Sequence, residues 1–202
     1  GANLSEEDKS VYSKWAEELS LATLQFSKNV LAATNAYTLH ITDSTDLAGL
    51  PEYAKVMGAE TAKEKGLEGW AFTLDYPSYG PFMKYSTVRN LREDMWKAYN
   101  SRALGGEFDN SEVVKTIVDL RIKMANILGY ETWADYQLEE RMAKNRNTVN
   151  EFISQLLVPS MEFAKKDIKS VFKYAKKNGF EGDKLMPWDF SFWSERYQEA
   201  EY

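Results

Sequence analysis

The chain has 202 residues, of which 44 % are hydrophobic, 28 % charged and 14 % aromatic, and its formal net charge is −6. That length supports one substantial core or two small lobes, and that balance excludes a disordered chain. Net acidity without a basic face excludes nucleic acid as a partner, the absence of any apolar run near the roughly 18 residues of a span argues against a membrane, and the absence of cysteine excludes disulfides and thiolate chemistry.

Ser5 is a helix N-cap followed by Glu6, Glu7 and Asp8, carboxylates that suit the positive end of a helix. Tyr12, Trp15, Leu19, Ala22, Phe26 and Val30 then form one stripe, so a helix is predicted from about Ser5 to Thr34. From Tyr37 to Thr42 the period changes to alternation, with Leu39 and Ile41 facing one way, which reads as a strand. DSTDLAG is a loop; Pro51 opens a helix to about Lys65 that Gly66 stops and Gly58 weakens a little. Gly69 to Asp75 is a second short strand, expected to pair with the first and to lie against helices, because a lone two-stranded ribbon is marginal.

Pro77 to Pro81, PSYGP, is expected to be irregular, with Phe82 to Tyr85 as a short helical turn. A helix is predicted over about Thr87 to Ala103, and Asn110 is placed as the cap of the next one. In that helix Val113, Ile117, Leu120, Met124 and Ile127 form one face, and Gly129 supplies a left-handed stop. A second helix carrying Trp133, Tyr136, Leu138 and Met142 is expected to fold back on it as a hairpin, with Arg121, Asp135, Glu139 and Arg141 in surface ion pairs. From Val149 to Ala175 a further apolar face includes Phe152, Ile153, Leu156, Leu157, Met161, Ile168, Val171 and Phe172, with a kink expected at Pro159. After a loop, Pro187-Trp188-Asp189 opens a last helix bearing Phe192, Trp193 and Tyr197. The fold class is therefore mostly all-α, a multi-helix array with one small two-stranded β element.

Chemistry is constrained by scarcity. His40 is the single histidine, and there is no cysteine, so a catalytic zinc with its usual three protein ligands cannot be built from this chain alone. A His-Glu-x-x-His helix is impossible, and Tyr37 stands where a Glu-x-x-His pair would need its glutamate. His40, Asp43 and Ser44 make a triad only on paper, because a triad is defined by geometry and sequence neighbours seldom supply it. Six tryptophans among many carboxylates suggest a glycoside cleft, yet no pair of carboxylates is singled out. Lys165, Lys166, Lys169, Lys173, Lys176 and Lys177 read as the solvated side of a helix, and Asn3-Leu4-Ser5 as a chance sequon. No residue is assigned as catalytic, cofactor-binding or metal-ligating.

The stretch LRIKMANILGYETWADYQLEERMAK, Leu120 to Lys144, resembles a pattern of the thimet oligopeptidase, peptidyl-dipeptidase and oligopeptidase A family of zinc metallopeptidases, with Ile127 in place of a leucine. DLAGLP (Asp46 to Pro51), FTLDYPSYGPFMKY (Phe72 to Tyr85), the R-x-L-R of Arg89, Leu91 and Arg92, AYNSR (Ala98 to Arg102) and the PWD of Pro187 to Asp189 resemble the same family in the same order. The resemblance implies two helical lobes around a narrow channel that admits short peptides. It also implies a zinc held by a His-Glu-x-x-His helix and a later glutamate, with the motif glutamate activating water. None of these ligands has a counterpart in this chain.

The expectation is thus an internal, non-catalytic, channel-wall segment, with residues 1–86 in one lobe and 87–202 in the other. Zinc belongs to the parent protein and not to this segment, and the partners are short peptides and the remainder of the same polypeptide. The alternative is a free-standing helical module that binds peptide or protein without catalysis. Exposed aromatic patches near Trp70, Tyr79 or Trp193, and pairing of two copies through them, are further expectations. Cytoplasm and periplasm fit equally.

Overall fold

The computed structural model describes residues 3–201. They hold eight α-helices and one antiparallel pair of strands. The helices are α1 (Glu6–Ala36), α2 (Glu52–Glu64), α3 (Tyr76–Tyr85), α4 (Arg89–Asn100), α5 (Ser111–Ile127), α6 (Trp133–Leu138), α7 (Arg146–Lys177) and α8 (Pro187–Glu201). Strands β1 (Leu39–Ile41) and β2 (Trp70–Phe72) pair with Leu39 opposite Phe72 and Ile41 opposite Trp70. The mostly helical class with a single small ribbon is the predicted one. No helix among the described residues is long and apolar enough to cross a membrane.

The chain forms two compact units, Gly1–Val30 with Ala103–Phe163 and Leu31–Arg102 with Ala164–Tyr202. The second holds the core: Ile41, Leu47, Leu50, Phe72, Leu74, Phe82, Met83, Met95 and Trp188 pack together. The ribbon lies against α2, as its marginal length requires. Gly58 of α2 meets the Phe72 ring so closely that an added Cβ would stand 2.9 Å from Cζ. A residue that weakens its helix thereby lets β2 approach it.

Two expectations are corrected in this part of the fold. PSYGP is helical, inside α3. Pro77 falls in the first turn, where a missing N–H costs nothing, and the Asp75 carbonyl accepts from the amides of Ser78 and Tyr79. Pro81 removes only the donor that the Pro77 carbonyl would otherwise take. Asn110 stands at the N-cap of α5 but makes no side-chain cap. Its amide donates to the Phe26 carbonyl at 3.1 Å, and its Oδ1 accepts from Asn29 Nδ2 at 2.9 Å, so it ties α5 to α1 instead. Asp109 takes the Ser111 amide in its place, at 3.1 Å.

In the first unit, Ser5 caps α1 as expected, its hydroxyl accepting from the Asp8 amide at 3.1 Å. Ile117, Leu120 and Met124 are the buried face of α5. Gly129 follows with φ +87°, the left-handed turn that a β-carbon would oppose. The hairpin partner α6 has six residues, shorter than expected, and Met142 lies beyond it, fully exposed. A capping box closes its start: Thr132 Oγ1 accepts from the Asp135 amide, and the Asp135 carboxylate accepts from the Thr132 amide.

Candidate functional site

Arg89 and Arg92 lie three residues apart on α4, so both side chains leave the same face of the helix. That face meets the first turn of α8, where Asp189 is completely buried. Arg89 grips Asp189 with a two-pronged fork, Nε to Oδ1 at 2.9 Å and Nη2 to Oδ2 at 2.8 Å. Arg92 donates to Asp189 Oδ1 at 3.2 Å, to the Trp188 carbonyl at 3.0 Å and to the Ser86 carbonyl at 2.7 Å. Its guanidinium also lies 4.0 Å from the centre of the Phe192 ring. Asp189 Oδ2 accepts from the Met186 amide as well, at 3.1 Å, so the same carboxylate caps α8.

Burial pulls the Arg92 guanidinium down to about 10, against the opposing pull of Asp189, and it stays charged at neutral pH. The Arg89 guanidinium is raised by its hydrogen bonds to Asp189. That carboxylate is thus held between two guanidiniums and an amide.

A second junction joins α8 to α3. Glu195 accepts from Lys84 Nζ at 2.9 Å and from the Tyr85 hydroxyl at 2.8 Å, and its carboxyl is held below the usual range by those bonds, Lys84's first. Arg196 donates to the Lys84 carbonyl at 3.1 Å, covering an open carbonyl at the end of α3. Beside the arginine pair is an open cleft of about 450 Å³, lined by Thr87, Arg89, Arg92, Phe180, Glu181, Phe192 and Trp193.

The paper triad is not assembled. His40 is exposed, and its Nε2 lies 2.6 Å from the Glu68 carbonyl, an acceptor, so that nitrogen carries the proton. Asp43 instead accepts from the Thr45 amide at 2.8 Å, which lowers its pKa, and Ser44 opens a short 3-10 turn. Four of the tryptophans pack on other rings: Trp96 stands 5.6 Å from Trp188, and Trp133 and Trp193 pack on neighbouring tyrosines. Of the expected hairpin ion pairs, Asp135 pairs with Arg146 at 2.6 Å and Glu139 accepts from the Tyr130 hydroxyl, while Arg121 lies over the Trp133 ring.

Among the described residues no donor set fits zinc. The chain's one histidine is committed to a backbone carbonyl, and among the described residues no three of His, Asp or Glu are grouped to hold a metal. Sequence reading noted Arg89, Arg92 and Asp189 only as letters of a resemblance. Their i, i+3 spacing and the PWD helix start were the available signals of a buried pair.

The profile of Peptidase family M3 matches residues 82–202. "Oligopeptidase A" of Haemophilus influenzae is 38 % identical over 207 residues, and "Oligopeptidase A" of Escherichia coli is 37 % identical over 207; each match covers 100 % of this chain and 30 % of the relative. "Dipeptidyl carboxypeptidase" of Escherichia coli is 26 % identical over 204 residues, again with 30 % of its length covered. The chain therefore spans about 30 % of the length of the curated relatives that it matches. With the profile covering more than half of it, the chain belongs to Peptidase family M3.

Proposed function

We propose that this chain is a non-catalytic, channel-wall segment of a zinc-dependent oligopeptidase that hydrolyses short peptides. One observation carries the reading: similarity along the whole chain to proteins named Oligopeptidase A, over only 30 % of their length. The poverty in zinc ligands agrees with it, since a peptidase zinc needs histidines that this segment does not have. The metal site is accordingly assigned to residues outside the segment, and no catalytic, cofactor-binding or metal role is assigned to any residue within it.

In this reading the buried arginine–aspartate junction holds α4 and α8 in fixed register, as a wall around a substrate path requires. The partners are short peptides and the remainder of the same polypeptide, and a second copy is the competing occupant of exposed apolar surface. The compartment is cytoplasmic or periplasmic.

The reading is tested by the reading frame around these residues together with the metal content of the intact protein. A His-Glu-x-x-His motif encoded downstream of residue 202, and one zinc per chain in the intact protein but none in the 202-residue piece, is the expected result. A stop codon directly after residue 202 would instead favour the free-standing binding module.

A further inference from the structure

The sequence assigns α7 a buried apolar face, and the structure buries only its C-terminal end. Val171 and Ala175 are 3 % and 0 % exposed, whereas every residue from 151 to 170 is exposed. Phe152, Ile153, Leu156, Leu157 and Met161 each leave between 49 % and 59 % of their surface open. Ile153, Leu156, Leu157 and Met161, spaced at steps of three and four, stand on one face of the helix. The exposed apolar surface is therefore not at the aromatic residues named from the sequence. Trp70 packs against the core, Tyr79 stacks on Tyr99 at 4.2 Å, and Trp193 lies against Tyr174, Phe180 and Phe192.

We propose that the row formed by Ile153, Leu156, Leu157 and Met161 is a docking surface for an apolar helical segment of the same polypeptide, outside these 202 residues. This rests on the reading of the chain as a segment of a longer enzyme. One observation selects that occupant. The relatives carry more than two thirds of their length outside the matched part, which supplies the covering chain. Helical geometry sets its chemistry: apolar side chains at steps of three and four, to fit between those of α7. An uncovered helical run of this length is marginal in water, and covering the row would stabilise it.

Hydrogen exchange of the intact protein and of the 202-residue chain, with and without Leu157→Asp, tests this. In the intact protein the amides of residues 151–162 should exchange about a hundredfold or more slowly than in the isolated chain, and Leu157→Asp should remove that slowing. In the isolated chain the same substitution should leave the melting temperature unchanged. Gln155→Asp, on the opposite side of α7, should leave exchange unchanged in both. Equal exchange in the intact protein and the isolated chain would overturn the proposal. So would protection of the isolated chain that grows with concentration and is lost in Leu157→Asp, which would give the row to a second copy. Zinc content and chelator-sensitive peptide cleavage of the unsubstituted intact protein report separately on the enzyme reading, which can stand if the docking surface fails.

Discussion

Arg92 meets Asp189 with both side chains removed from solvent, 2 % and 0 % exposed and 3.2 Å apart. The two are brought together across nearly a hundred residues of chain, and with Arg89 they join α4 to α8. Replacing Asp189 leaves Arg92 buried and charged without its carboxylate, which costs far more than the pair itself contributes. Asp189→Leu is expected to destabilise the protein by about 3–5 kcal/mol in urea unfolding, and Asp189→Leu with Arg92→Met by clearly less. Equal losses in the single and double variants would show that packing, not charge, holds this junction.

Glu195 ties α8 to Lys84 and Tyr85, and its lowered pKa makes that tie dependent on pH. A carboxyl with a depressed folded pKa adds stability above its unfolded value of 4.5 and loses it as pH falls through the folded value. Glu195→Gln should therefore flatten part of the acid limb of a stability–pH profile and leave the shape around neutral pH unchanged. An acid limb of unaltered slope would contradict the assignment. The effect is expected to be modest because Lys84 is 45 % exposed.

Gly58→Ala inverts a common rule. Replacing a helical glycine by alanine ordinarily gains about 1 kcal/mol. Here the new methyl would stand 2.9 Å from the ring of Phe72, which is itself buried in the core. Overpacking of that kind costs about 1–3 kcal/mol, so the net change is expected to be destabilising. Calorimetry of the variant checks this, and a raised melting temperature would show that Phe72 yields.

What the sequence revealed and what it hid divide along physical lines. Period and punctuation are local, so the stop at Gly129, the pairing of Leu39–Ile41 with Trp70–Phe72 and the helix start at Pro187 were legible. Pro77 and Pro81 misled because their neighbours' carbonyls settle whether proline breaks a helix, and Asp75 takes two of the amides. Asn110 misled because a side chain suited to a cap is equally suited to bridging two helices. The arginine–aspartate junction was hidden as chemistry because its partners lie far apart in the chain. The face of α7 was legible as a face, but periodicity says that a row must be covered and not by what.

Thr132 and Asp135 close a capping box on a helix of only six residues. So short a helix has little propagation to offset its nucleation, and the cap carries a large share of its stability. Thr132→Ala is expected to cost about 1 kcal/mol and to raise exchange rates through α6. Unchanged exchange there would mean that packing on α5 alone holds the hairpin.

Cleavage of a fluorogenic short peptide, by the 202-residue chain and by the intact protein, each with and without a chelator, tests the central claim most directly. The expected result is no cleavage by the 202-residue chain and robust, chelator-sensitive cleavage by the intact protein. Chelator-sensitive cleavage by the purified 202-residue chain itself would contradict it.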